Sequence, residues 1–307
     1  MIQKNFTVTS AFDGLKLQGC IYDPENKRKG VVLIVHGMCE YKERYADFMK
    51  FLSTYGYVAV CYDQRGHGDT ALSPDDYGWF GDFEAKAVVE DVADVVAYVK
   101  TQYPDLPFTL FGHSMGSMVV RCFMRRHDRT IDRLIVCGLP AKNPLAGIAV
   151  ILEKCIRLFK GERHRSKLLA YLSTGKGDKK FPGEGEKAWL SKNRKNIDEY
   201  LANPKSNFTF TCNGFENLFK LMKLTYKKKG YEVRSPDIPV LFLAGEKDPV
   251  IGSPFDWEEA KEFFSKLGYR NVGGKLYAGL RHEILNELAR QTVYEDVKAF
   301  LEDKQLN

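Results

Sequence analysis

The chain has 307 residues, 44% hydrophobic and 28% charged, with a formal net charge of +6. That suits one large globular domain, or a domain carrying a sizeable insertion. The mild positive charge comes without a lysine–arginine block interleaved with aromatics, and no stretch approaches 18 uninterrupted apolar residues, which argues against a nucleic-acid binder and a membrane-spanning helix.

Residues 4–9 and 15–22 alternate apolar and polar about Phe12-Asp13-Gly14, the pattern of an antiparallel hairpin. Residues 30–35 are a continuous apolar run, as expected of a strand buried on both faces of a parallel sheet. The run ends in His36-Gly37-Met38-Cys39-Glu40. A helix is expected over 45–55, a buried strand over 57–62, and a glycine-rich turn at Asp63-Gln64-Arg65-Gly66-His67-Gly68. Val88, Val92, Val95, Val96 and Val99 recur at 3.6 spacing and predict a helix over 83–102. A strand from Phe108, the pentad Gly112-His113-Ser114-Met115-Gly116 and an apolar helical pattern follow, then a short strand over 134–137.

Over 140–235 the strand–helix alternation stops, and helical, basic and glycine-rich segments replace it. Alternation resumes with a strand over 239–245, a helix over 254–267, a strand over 274–277 and a last helix over 284–302. The simplest organisation is an α/β core of 1–139 and 236–307 interrupted by a mainly helical insertion at 140–235. The seven cysteines (Cys20, Cys39, Cys61, Cys122, Cys137, Cys155, Cys212) are odd in number and form no Cys-x-x-Cys pair, which reads as free thiols in a reducing compartment. Residues 1–6 hold no apolar secretion-signal core, so a cytoplasmic protein is expected.

Gly-x-Ser-x-Gly between a strand and a helix is the pattern of a sharp turn that lifts a serine hydroxyl above a sheet, with small residues two before and two after it so that the turn can close. A serine needs a base, and the base an orienting carboxylate. Among six histidines, His113 lies inside the turn and should point away from the hydroxyl, and His127 and His164 lie in charged segments and should be solvated. His36 and His67 sit in turn-forming motifs that suit structural hydrogen bonding. His282, in the loop after the last strand, is the expected base, and Asp248, just beyond the strand at 239–245, the expected carboxylate. Glu246 reads as a loop charge, Asp237 as lying at the opposite sheet edge, and Asp256 as a first-turn helix acid. The backbone N–H groups of Met38 and Met115 are the candidate oxyanion donors.

These pieces together resemble the α/β-hydrolase superfamily, and more narrowly the monoacylglycerol lipase and lysophospholipase-like serine hydrolases. The resemblance is carried by His36 through Tyr41 with Arg44-Tyr45, by Asp63 through Gly68, by Gly112 through Gly116, by Gly245 through Val250 and by His282 through Glu287. Cys39, Tyr41 and Asp69 depart from the usual pattern of that branch. The resemblance implies a mostly parallel eight-stranded sheet with helices on both faces and a lid formed by the insertion. It also implies Ser114, Asp248 and His282 as catalytic residues, no metal or organic cofactor, and a lipid ester or other small ester as substrate. An aminopeptidase or amidase on the same scaffold would need an acid in the insertion, with Glu153, Glu184, Glu186 and Glu199 as candidates. A general short-chain carboxylesterase is a further alternative, and a non-catalytic binding protein the remote one. Ile148, Ile151, Leu152, Ile156, Leu158 and Phe159 could face an acyl chain or pack the lid on the core. Lys154, Arg157, Lys160, Arg163, Arg165 and Lys167 suit either a solvated face or peripheral contact with an anionic bilayer. No nucleic acid is expected as a partner, and nothing in the sequence specifies an oligomer.

Overall fold

The computed structural model describes residues 1–81, 85–173, 175 and 177–304. The hairpin forms as β1 (Ile2–Thr9) and β2 (Lys16–Asp23). The apolar runs form β3 (Gly30–Val35), β4 (Tyr57–Tyr62), β5 (Phe108–His113), β6 (Arg133–Cys137), β7 (Val240–Gly245) and β8 (Val272–Tyr277). They build one sheet in the order β1-β2-β4-β3-β5-β6-β7-β8, with β1/β2 and β2/β4 antiparallel and all later pairs parallel.

Alternate strand residues feed two apolar layers, which is why these strands read as continuous apolar runs. Val31, Leu33, Val35, Leu110, Val136 and Phe242 point to one side. There they meet α2 (Lys86–Gln102), α3 (Met115–His127) and α8 (Pro254–Leu267). Val32, Ile34, Phe111, Ile135 and Leu243 point to the other side, against α1 (Ala46–Thr54) and α9 (Arg290–Leu301). The expected start of the helix at 83–102 lies outside the described residues. The last helix begins at Arg290 rather than 284. Ahead of it, Glu283 and Glu287 bond to a side chain and to main-chain N–H groups elsewhere, and the segment folds as turns.

Between the adjacent strands β6 and β7 lie α4 (Ala146–Lys160), α5 (Lys167–Ser173), α6 (Arg194–Ala202) and α7 (Cys212–Thr225). This segment shares the core: Phe215, Leu218, Phe219 and Leu221 of α7 join the same apolar cluster as α3. The apolar residues of α4 divide. Leu152 and Ile156 pack inward, whereas Ile148, Ile151, Leu158 and Phe159 face solvent. No helix among the described residues is long and apolar enough to cross a membrane. Six of the seven cysteines are buried and Cys155 is exposed, all of them unpaired.

Glu153 is buried where α4 packs on α7, and neither carboxylate oxygen has a hydrogen-bond partner among the described residues, although Arg157 Nε stands 3.2 Å away. Burial, reinforced by the charge of Glu216, pushes its carboxyl up to about 7. A carboxyl raised in the folded state holds its proton more tightly there than when unfolded, so it subtracts stability as pH rises from about 4.5 to about 7. We therefore predict that Glu153→Met stabilises the protein by about 1–3 kcal/mol at pH 8, the cost of a buried acceptor without a donor. At pH 5 the gain should be much smaller. Urea unfolding at the two pH values checks this.

Candidate active site

Ser114 sits between β5 and α3 with φ 53° and ψ −117°, a conformation a non-glycine residue holds at a cost of order 1–3 kcal/mol. The surrounding main chain holds it there. Its N–H donates to the Cys137 carbonyl at 2.9 Å, and its carbonyl accepts from Ser117 N at 3.0 Å. A Cβ on Gly116 would lie 2.0 Å from the Val35 carbonyl oxygen, and one on Gly112 2.5 Å from the Gly116 carbonyl oxygen. The two glycines thus let α3 start directly against the carboxyl end of β3.

His282 and Asp248 come from the loops after β8 and β7. Both are buried, and His282 Nδ1 lies 2.8 Å from Asp248 Oδ2. The second Asp248 oxygen accepts from Val250 N at 2.8 Å, which fixes the carboxylate plane. Since an ionised carboxylate only accepts, Nδ1 carries the hydrogen and Nε2 keeps its lone pair in the neutral ring. Gly138, at φ 56°, leaves room for the imidazole: a Cβ there would stand 3.3 Å from His282 Cε1. The competing acids lie elsewhere. Asp237 pairs with Arg270 in solvent, Asp256 closes the capping box of α8, and Glu246 accepts from Gly279 N.

Ser114, His282, Met38 and Met115 line one cavity of about 380 Å³. The N–H groups of Met38 and Met115 donate to no other group among the described residues. Met118, Phe215, Leu218, Phe219 and Met222 make one wall apolar, while Glu186, Lys187, Asn207 and Thr209 add polar groups. His36 and His67 brace the surrounding loops. His36 Nε2 accepts from Gln64 N at 3.0 Å, and His67 Nε2 accepts from Cys39 N at 3.2 Å. Burial pushes His67 down to about 3, so it stays neutral. His127 is not free in solvent but lies 2.9 Å from Glu90, stacked on Phe123.

Sequence reasoning assigned no role to a second, buried group of charges. Arg44 meets Glu283 at 2.5 Å and Glu40 at 3.4 Å, and its guanidinium covers the Tyr200 ring at 4.9 Å. Asn196 of α6 donates to Glu283 at 2.6 Å. Burial alone would raise the Glu40 carboxyl, but the hydrogen bond and charge of His113 and the charge of Arg44 hold it well below the usual carboxylate range. The insertion also grips the histidine loop. Glu283 N donates to the Leu190 carbonyl at 2.7 Å, Arg281 donates to the Ala188 carbonyl at 2.7 Å, and the Trp189 ring stands 5.0 Å from the His282 ring.

Residues 26–289 match the family model described as serine aminopeptidase, S33. The chain belongs to this family. It is 24% identical to a monoacylglycerol lipase of Mycolicibacterium smegmatis, over 94% of this chain and 93% of the relative. It is 22% identical to a probable lysophospholipase L2 of Haemophilus influenzae, over 92% and 86%. Its fold matches a thermostable carboxyl esterase of Bacillus coagulans, solved with glycerol, at a TM-score of 0.87 and 28% identity over 99% of both chains. The α/β-hydrolase fold expected from the motifs is therefore the observed fold.

A side chain at Gly116 cannot be accommodated without moving the main chain of β3. Gly116→Ala is expected to lose about 1–3 kcal/mol of stability, the usual cost of overpacking, measured by urea denaturation. A variant as stable as wild type would mean that α3 has freedom to withdraw from β3.

Proposed function

We propose that the chain hydrolyses carboxylic esters through an acyl-enzyme on Ser114, with His282 as base and Asp248 as its orienting carboxylate. The observation that carries this reading is the buried 2.8 Å contact between His282 Nδ1 and Asp248, beside the cavity that Ser114 also lines. Ser114 Oγ attacks the ester carbonyl while His282 Nε2 takes its proton. The carbonyl oxygen becomes an oxyanion held by the Met38 and Met115 N–H groups. Collapse breaks the ester C–O bond, and His282 returns the proton to the departing alcohol. A water, deprotonated by the same nitrogen, then releases the acid and frees Ser114. Each oxyanion donor is worth roughly 2.7–4 kcal/mol in comparable sites.

The substrate class we propose is a lipid ester with a single acyl chain, of the monoacylglycerol or lysophospholipid type. The apolar wall of the cavity suits one chain, the polar groups suit a head group, and relatives named for those substrates align over nearly the whole chain. One observation favours a second reading, an aminopeptidase. Of the four acids considered for an amino terminus, Glu186 lines the cavity, whereas Glu153 is buried against α7 and Glu184 pairs with Arg281.

The insertion is proposed to serve as the lid and to rest on lipid. Ile148, Ile151, Leu158 and Phe159 of α4 are more than 60% exposed. Leu168 and Leu172 of α5 are also exposed apolar residues, and Leu172 lines the cavity as well. Arg157, Arg163 and Arg165 are engaged by Glu162, Asp76 and main-chain carbonyls, but Lys154, Lys160 and Lys167 make no ion pair among the described residues. An apolar face rimmed by lysines suits an anionic bilayer.

Two assays follow. On p-nitrophenyl esters of two to sixteen carbons, with monoacylglycerol, lysophospholipid and aminoacyl-p-nitroanilide alongside, activity should peak on medium or long chains. It should fall about a millionfold in Ser114→Ala. A peak on acetate or on the anilide would reject the lipid reading in favour of an esterase or aminopeptidase. The double variant Ile148→Ser/Phe159→Ser should sediment less with anionic vesicles and act at least tenfold more slowly on vesicle-borne substrate, with little change on a dispersed short-chain ester. Equal sedimentation of wild type and variant would remove the bilayer from the account.

A further inference from the structure

Beside the proposed chemistry lies a buried histidine to which it gives no role. His113 ends β5, directly before Ser114, and its ring lies 4.8 Å from the His282 ring, centroid to centroid. His113 Nδ1 is 3.2 Å from Glu40 Oε1, and His113 Nε2 is 3.2 Å from the main-chain carbonyl oxygen of His282. A carbonyl oxygen only accepts hydrogen bonds. Glu40 is ringed by donors: the Gly37 N–H and the Tyr45 hydroxyl reach the oxygen that faces His113, and Arg44 stands 3.4 Å from the other. Such an environment holds a carboxylate ionised, so Glu40 only accepts as well. A neutral imidazole has a single N–H and can serve one of these two acceptors. Both are served only when both ring nitrogens carry hydrogen.

We propose that His113 is a protonated positioning residue, an imidazolium strut that ties the main chain of His282 to Glu40 and so sets the distance between the nucleophile turn and the base. This inference rests on His282 being the base. Its two ends belong to different parts of the chain. Glu40 lies in the loop after β3, which also carries Met38, and His282 lies in the loop after β8. The strut therefore links one proposed oxyanion donor to the proposed base through the residue preceding the nucleophile. A displacement of about 1 Å in such a site can cost on the order of a hundredfold in rate.

The charged and titratable groups facing His113 are Glu40, Arg44 and Tyr45 from the β3–α1 connection and Glu283 and His282 from the loop after β8; Asp248 stands behind His282. Burial by itself would drive the ring neutral, but the hydrogen bond and charge of Glu40, with the charge of Glu283, hold it above the ordinary histidine value. The sign follows. Loss of the proton on the alkaline side removes one of the two donors and releases an end of the strut. Taking away the Glu40 charge should let burial prevail and bring that loss to lower pH.

The test is nitrogen-15 NMR of the imidazoles in the intact protein at pH 7.5, with the pH dependence of kcat for wild type, Glu40→Gln and His113→Asn. We expect both His113 nitrogens to be protonated in wild type. The alkaline limb of kcat should move at least one pH unit lower in Glu40→Gln, and His113→Asn should lose roughly 10- to 100-fold in kcat with KM changed less than about threefold. A neutral His113 tautomer in wild type at pH 7.5 overturns the proposal even if neither variant folds, and so does an unmoved alkaline limb in a folded Glu40→Gln. Full activity of Ser114→Ala would instead remove the underlying reading, while leaving the protonation state of His113 as measured.

Discussion

At Gly116 there is no room for one more carbon atom between α3 and the end of β3. That close approach organises the molecule. It lets α3 begin directly beneath the serine and holds Ser114 in the left-handed region, and it brings the β3 loop, with Met38, alongside the first N–H groups of α3. The strain at Ser114 is sustained because β3, β5 and β6 are central strands buried on both faces, which leaves the turn no direction in which to relax. The position of Ser114, the proposed nucleophile, is thus set by main-chain packing, and the residues that decide it are the two without side chains.

A second constraint is electrostatic. Glu40, Arg44, Glu283 and His113 are buried together, with Asn196 closing the set from the insertion. Burying such groups is costly, and removing one partner strands a charge at a typical cost of about 3–5 kcal/mol. In a core built for stability alone, apolar residues would serve as well. Here the charges join three segments distant in sequence, each of which carries or touches a group of the proposed site. The segment between β6 and β7 also supports the site, since the carbonyls of Ala188 and Leu190 hold the loop that carries His282.

Much of this was legible in the residues. The strands at 30–35 and 57–62 were readable to the residue because burial on both faces demands unbroken apolar runs. Ser114, Asp248 and His282 stood out because each follows a strand on the carboxyl edge of the sheet, where loops converge. Less was legible where partners are far apart in sequence. Nothing local distinguishes Glu283 from a surface acid, since its partner Arg44 lies 239 residues away, and Glu40, although four residues from Arg44, meets His113 only across 73 residues. The early start expected for the last helix failed because Glu283 and Glu287 are spent on bonds to Asn196 and to Lys192 N, outside the segment. The apolar residues of α4 read as one set, yet helix packing divided them between the core and solvent. His127 looked solvated because Glu90, its partner, lies on another helix.

The central claim is that Ser114 is the nucleophile and is activated through His282 and Asp248. The most direct measurement is reaction with a fluorophosphonate probe, followed by peptide mass spectrometry of the wild type and Asp248→Asn. The account predicts a stoichiometric adduct on the peptide containing Ser114, formed on the order of 10⁴-fold more slowly when the carboxylate is lost. An adduct on another residue, or labelling of Ser114 at an unchanged rate in Asp248→Asn, would contradict it.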